Sequence, residues 1–78
     1  MAPKHNFYLL VTFACPDDLQ TVLEFALNYE AKSYSRGNLN SVVLEFYSRY
    51  DLRDFCGELL MYNLGFGLKA VKHEAVFN

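Results

Sequence analysis

The chain has 78 residues, of which 53% are hydrophobic and 17% aromatic, and its formal net charge is −2. This apolar content excludes a disordered segment, and the length predicts a single small globular domain over residues 1–78. A slightly negative chain lacks the positive field that general nucleic-acid binding needs, and no apolar run approaches the ~20 residues of a membrane span. Two cysteines are too few for the disulfide framework of small secreted domains, so we expect a cytoplasmic protein.

The N-terminal third of the chain predicts a flexible tail, a strand and a helix. Residues 1–6 are expected to form the tail, and residues 7–15 (FYLLVTFAC) the strand. Pro16 suits the first turn of a helix, and Asp17 and Asp18 suit its positive N-terminal end. Apolar residues then recur at the helical period and form one stripe, namely Leu19, Val22, Leu23, Ala26 and Leu27.

The tetrapeptide VLEF occurs twice, at 22–25 and at 43–46, in two different periodicities. The first copy belongs to the helix, whereas the second lies in SVVLEFYS, whose alternating β-branched and aromatic residues predict a strand. A longer match at an offset of 33 places residues 9–29 over residues 42–62. Its identical pairs are Phe13 and Phe46, Asp18 and Asp51, Leu19 and Leu52, Leu27 and Leu60, and Tyr29 and Tyr62. This repeat predicts two strand–helix halves.

A further strand is expected after each helix. Residues 32–37 (KSYSRG) follow the first helix, and residues 69–77 (KAVKHEAVF) follow the second, which Gly65 is well placed to end. The resulting order, β-α-β-β-α-β, resembles the ferredoxin-like split βαβ fold over nearly the whole chain. The resemblance implies an α+β domain in which a four-stranded antiparallel sheet carries two helices on one face. It implies no particular function, since this architecture hosts many.

The first and third strands lie in the middle of such a sheet, and their alternation predicts two different faces. The face under the helices is expected to hold Phe7, Leu9, Val11, Phe13, Val42, Leu44 and Phe46. The opposite, open face is expected to hold Tyr8, Leu10, Thr12, Ser41, Val43, Glu45 and Tyr47. We expect four of these residues to form a contiguous apolar patch that binds a partner: Tyr8, Leu10, Val43 and Tyr47. The alternatives are that a terminal segment covers this face or that the register is shifted by one residue.

The two predicted helices are rich in acidic residues. Some of these lie in first helical turns, where a carboxylate stabilises the helix dipole whatever the function: Asp17, Asp18, Asp51 and Asp54. Three others lie outside those turns, namely Glu24, Glu30 and Glu58. With Phe25 and Met61, which we expect to be exposed on the same layer, they predict a second partner-binding surface, suited to a basic partner.

The residues that could carry chemistry form no catalytic or metal-binding pattern. His5 in the tail and His73 in the last strand have no Ser, Cys or carboxylate at the spacing of a triad or a metal site. Cys56 falls on the apolar stripe of the second helix and is expected to pack in the core, whereas Cys15 at a strand end is the more reactive thiol. We therefore expect a protein that is not an enzyme and that needs no cofactor or metal.

These features favour a small protein-interaction module that binds itself or another protein through the open sheet face, the acidic helices, or both. A homodimer formed through the sheets is the simplest version. A sharper version is a small inhibitor, of the kind that viruses and mobile elements encode, whose acidic helices cover the nucleic-acid-binding surface of a host enzyme.

Two other classes of domain are similar in strand order. RNA-recognition domains carry aromatic residues on the third strand, but RGNLNSVVLEF has Asn38 and Asn40 where those aromatics are expected. Tyr8 and Tyr47 still offer a stacking platform for single-stranded nucleic acid, which is one alternative function; an ACT-like ligand-sensing regulatory domain is the other. ACT-type ligand-sensing domains also look similar in outline, although the glycine that often opens their first helix has no counterpart in CPDDLQT.

Overall fold

The computed structural model describes residues 6–35, 39–63 and 65–72. In chain order, its elements are β1 (Phe7–Thr12), α1 (Asp18–Leu27), β2 (Lys32–Ser35), β3 (Ser41–Phe46), α2 (Arg49–Tyr62) and β4 (Gly67–Val71). The four strands form one antiparallel sheet in the order β2-β3-β1-β4. The predicted α+β ferredoxin-like arrangement is therefore confirmed.

The register of the two central strands explains where the core lies. Leu9 lies opposite Leu44, and Val11 opposite Val42, so these side chains point to the same side of the sheet. Both helices bury their apolar stripes against that side, through Val22 and Ala26 of α1 and through Phe55 and Leu59 of α2. Six of the seven residues predicted for the helix-facing side belong to the buried core, and the seventh, Phe7, is partly buried and packs against it.

Aromatic rings fill much of this core. Phe46 of β3 packs on Phe55 of α2 with ring centroids 5.2 Å apart, and Tyr29 meets Phe55 edge-on at 5.9 Å. Phe13, just beyond β1, meets Phe66 edge-on at 6.4 Å. Phe66 is a core residue that the sequence analysis did not identify, because it lies between elements and belongs to no periodic pattern.

The ends of the helices differ from the predicted ones by a few residues. Pro16 precedes α1 instead of forming its first turn, and Asp17 is the N-cap. Ser48 caps α2, where its hydroxyl accepts a hydrogen bond from the Tyr50 N–H at 3.1 Å. The same helix ends at Tyr62, ahead of Gly65, because the backbone of Asn63 is extended (φ −158°, ψ 117°).

The edge strands also differ from the prediction. β2 ends at Ser35, and residues 36–38 lie outside the described part of the chain. β4 begins at Gly67, two residues before the predicted start, because Gly67 continues the pairing with β1 opposite Thr12. A Cβ atom at position 67 would collide with the Thr12 Oγ1, so this close approach needs a glycine. The rest of the predicted strand, from residue 73 onward, and the tail residues 1–5 are likewise outside the described residues.

The prediction that Leu27 belongs to the buried stripe of α1 is wrong, since its side chain is 73% exposed. Leu27 is the last residue of α1 and lies about 80° around the helix axis from Leu19, at the margin of the stripe. It lines a shallow groove with Ala31 and Ser33, where the helix overhangs edge strand β2.

Two leucine substitutions test this assignment of the core. Leu59 is fully buried in α2, so Leu59→Ala should lower the free energy of unfolding by about 2–5 kcal/mol, through lost transfer free energy and a residual cavity. Leu27→Ala is the matched control and should change it by less than about 0.5 kcal/mol. Urea denaturation followed by circular dichroism measures both, and equal costs would contradict the assignment.

Candidate protein-interaction surfaces

The sheet face opposite the helices is built from rows of residues that lie directly opposite one another. One row contains Val71, Tyr8, Glu45 and Lys32, and the next contains Lys69, Leu10, Val43 and Tyr34. The structure thus brings together three of the four residues of the predicted patch, namely Tyr8, Leu10 and Val43. Tyr47 comes directly after β3 ends, at a bend, and its side chain is exposed.

A buried carboxylate occupies the middle of this face. Glu45 is almost inaccessible to solvent, and its Oε2 accepts hydrogen bonds from the amide Nδ2 of Asn6 and, at 3.4 Å, from the hydroxyl of Tyr8. The Tyr34 hydroxyl donates to Oε1. A buried carboxylate is costly unless donors surround it, and here both of its oxygens have them. Asn6, the last residue of the predicted flexible tail, is one of these donors.

The expectation of an open apolar patch on this face is wrong for its central members. Tyr8 is only 7% exposed, and Val43 has no exposed surface. Tyr34 lies opposite Val43, yet its hydroxyl reaches Glu45 two residues along the strand, so its ring lies across this face of the sheet. The sequence did not predict that Tyr34 belongs to this site, because its strand is short and lies at the edge of the sheet. The sequence feature that could have indicated the site is a glutamate within an apolar central strand.

Hydrogen bonding and burial hold the tyrosines of this cluster in their neutral form. Burial, followed by the nearby charge of Glu45, raises the pKa of Tyr8, and the hydrogen bond to Glu45, followed by burial, raises the pKa of Tyr34 to about 12. At neutral pH both phenols are donors, and neither is ionised to act as a base or nucleophile. The cluster therefore stabilises the sheet face and leaves little exposed apolar area on it.

Two of the three glutamates of the predicted acidic layer are exposed, and the third is half-buried. Glu24 is exposed on α1 and accepts a hydrogen bond from Gln20 at 3.3 Å, and Glu30 is exposed in the turn after α1 at a positive φ of 55°. Glu58 of α2 instead accepts a hydrogen bond from the Tyr29 hydroxyl at 2.6 Å. That bond, followed by burial, raises the pKa of Tyr29 to about 12. Glu58 thus connects α2 to the end of α1.

A groove between the two helices is lined by both polar and apolar side chains. It has a volume of about 270 Å³ and is lined by Thr21, Glu24, Phe25, Asn28 and Tyr62. Phe25 is half-buried, contrary to the prediction, because it meets Tyr62 edge-on with ring centroids 5.5 Å apart. Tyr62 is 60% exposed, and Met61 beside it is 91% exposed, as predicted. We call Glu24, Phe25, Met61 and Tyr62 the helical surface.

The charges of α2 are segregated onto two flanks. Glu58 bonds the Tyr29 hydroxyl directly, and the charges of Asp54 and Asp51 also raise the pKa of that hydroxyl, so these acids lie on the side of α2 nearer Tyr29. Arg49 and Arg53 are one turn apart and lie about 100° to 180° around the helix axis from those acids. They line a different groove, of about 350 Å³, between α2 and β4. The acidic side of α2 is therefore the one nearer Tyr29, and Glu24 of α1 lines the groove between the two helices.

The residues with reactive side chains remain apart. Both cysteines are free thiols, with Cys15 exposed and Cys56 half-buried against the core, where burial raises its pKa. No three His, Cys, Asp or Glu side chains of the described residues could jointly hold a metal ion. His5 and His73 lie outside the described residues. In the same described ranges, neither helix has the length and apolar character to cross a membrane.

Comparison with known proteins adds no family to this picture. No protein-family model matches the chain, and neither curated proteins nor solved structures give a significant match.

The tyrosine–glutamate cluster should make the folded chain less stable as the pH becomes alkaline. Because the pKa of Tyr34 is about 12 in the folded chain and about 10 when unfolded, its contribution is complete below pH 10 and is lost as the pH rises towards 12. Over this pH range the free energy of unfolding should therefore fall less steeply in Tyr34→Phe than in the wild type. The difference between the two slopes should be up to about 1.4 kcal/mol per pH unit. Urea titrations at several pH values measure this slope. Exposed Tyr50→Phe is the control, and equal slopes for the two variants would refute the expectation.

A double-mutant cycle tests the contact between the helices. Tyr29→Phe and Glu58→Gln each disturb the bond between the hydroxyl and the carboxylate, so the two changes should be non-additive by about 1 kcal/mol in unfolding free energy. Glu24→Gln combined with Tyr29→Phe is the control pair, for which additivity is expected. A coupling energy near zero for Tyr29 and Glu58 would show that the bond contributes nothing to stability.

Proposed function

We propose that this chain is a small non-enzymatic interaction module that binds a basic, partly apolar surface of another protein through its helical surface. The observation that carries the proposal is the nearly complete exposure of Met61 next to exposed Tyr62, which lines a groove together with Glu24. The partner's chemistry follows from these side chains: a Lys or Arg near Glu24 and an apolar pocket for Met61.

The types of residue found on the helical surface support the proposal that it binds a protein. Single exposed apolar side chains are ordinary in soluble proteins, but here an exposed methionine directly precedes an exposed tyrosine that lines a partly apolar groove. Methionine and aromatic residues are enriched at protein interfaces, and the flexible methionine side chain adapts to an irregular partner surface. The edge-on contact with Phe25 holds the Tyr62 ring in place and lowers the entropy lost on binding.

Charge favours a protein partner over nucleic acid on this surface. Glu24 is exposed there, and the acids of α2 lie on the side of that helix nearer Tyr29, so a phosphate backbone would be repelled. A basic protein surface would be attracted, and its association would be accelerated at low salt. The inhibitor version of the function is a special case in which the basic surface is the nucleic-acid-binding surface of a host enzyme.

Homodimerisation through the sheet face has less support than this proposal. Tyr8 and Val43 contribute almost no accessible area, so Leu10 and Tyr47 supply what remains of the predicted patch. Stable dimers bury much more apolar surface than two such side chains offer.

A matched pair of substitutions tests the proposal by affinity capture. Met61→Glu places a charge on the most exposed apolar side chain of the helical surface, whereas Leu39→Glu makes a comparable change at an exposed apolar side chain in the turn before β3. A partner retained by the wild-type chain should bind Met61→Glu at least about tenfold more weakly, because the main apolar contact is lost. The Leu39→Glu control should bind like the wild type. Purified partner and calorimetry give the affinities.

Two further measurements sharpen the result. Glu24→Lys should weaken the same complex most at low salt, where the opposite charges attract most strongly. Sedimentation equilibrium of the chain alone should show a monomer. A dimer that persists in Met61→Glu, or a partner that both glutamate variants lose equally, would contradict binding through the helical surface.

A further inference from the structure

A second groove of about 350 Å³ lies on the other flank of α2, beside edge strand β4. Its lining residues are Phe7, Arg49, Tyr50, Leu52, Arg53 and Ala70. None of these belongs to the helical surface, and the function proposed above makes no use of them. We propose that this groove and the adjoining edge of β4 bind an extended acidic segment of a partner protein, which adds to the sheet as a fifth strand.

The position of β4 supplies the backbone part of this site. β4 pairs with β1 on one side and, among the described residues, with no strand on the other. The outer edge of such a strand presents N–H and C=O groups at the spacing that an extended peptide needs. Main-chain hydrogen bonds would give the added segment its affinity and direction, while the groove would select its side chains.

The charges around this edge favour an acidic segment. Arg49 and Arg53 are exposed, and neither guanidinium makes an ion pair or hydrogen bond in the described part of the structure. Lys69 is exposed on the other face of the same strand, in the row of Leu10. Carboxylates on either side of an added strand would therefore meet a cation. The acids Asp51 and Asp54 lie on the side of α2 nearer Tyr29 and do not line the groove.

Apolar side chains between these cations favour a peptide over nucleic acid. Phe7, Leu52 and Ala70 are at least partly accessible and line the same groove as the two arginines, where they would contact a β-branched side chain. A phosphate backbone has no equivalent group, and the net charge of −2 disfavours it further. The opposite edge, β2, has only four residues, with Lys32 as its one cation. It therefore provides an internal control.

The site can be tested with defined peptides and the isotope-labelled chain. The probe is a nine-residue peptide in which Val-Val and Glu-Glu pairs alternate, so that each face of the extended strand carries both residue types, and its partner probe replaces each Glu with Lys. Amide chemical shifts should move along Gly67–Val71 and in the first two turns of α2 with the Glu peptide, and not with the Lys peptide. Arg49→Gln combined with Arg53→Gln should weaken binding about tenfold, through the loss of two charge contacts. Lys32→Gln should leave it unchanged.

A modified probe separates strand addition from simple charge attraction without altering the protein. N-methylation of every residue of the Glu peptide removes the backbone donors on both edges and keeps every charge, so it should abolish binding if the segment adds to β4. Equal binding of the methylated and unmethylated peptides, equal binding of the Lys peptide, or shifts confined to β2 would overturn the proposal. Binding of oligothymidylate in the groove without binding of the Glu peptide would also overturn it, in favour of a nucleic-acid site.

Discussion

The burial of β3 along its whole length is the constraint on which both faces of the sheet depend. All six of its residues are buried, so each must find a partner above or below the sheet. On the helix side, Val42, Leu44 and Phe46 meet the apolar stripes of both helices. On the other side the same burial encloses Glu45, whose carboxylate requires donors from β1, β2 and the residue before β1. One buried charge therefore determines the polarity of a whole sheet face.

Because of this constraint, the exposed apolar surface lies on the helices and not on the sheet face. The tyrosines that donate to Glu45 also occupy the middle of the sheet face, which removes most of the area that a sheet-to-sheet dimer would bury. In a chain of 78 residues there is little further surface to use, since each helix has only one exposed side. The side on which α1 and α2 face each other retains Met61 and Tyr62 outside the core.

The sequence predicted the interactions between residues that share a periodic pattern and missed those between residues that do not. Alternation identified Leu9, Val11 and Leu44 as core residues because each belongs to a regular strand, and the 33-residue repeat indicated both strand–helix halves. The contact of Tyr34 with Glu45 joins an edge strand to a central strand and has no periodic signal. The contact of Tyr29 with Glu58 also has no periodic signal, and it makes a predicted docking acid a half-buried hydrogen-bond acceptor.

The segregation of charge on α2 connects the two proposed surfaces. Acids in the first turn of a helix stabilise its dipole on any flank, so the dipole does not explain why Asp51 and Asp54 lie nearer Tyr29 while Arg49 and Arg53 line the groove beside β4. Placing them on different flanks gives one short helix an acidic and a basic side, each next to a groove with exposed aromatic surface. Because the two grooves share no residue, a partner on one leaves the other accessible. A domain of this size can then contact a basic surface and an acidic segment at once, which is what a small module that covers or bridges larger proteins requires.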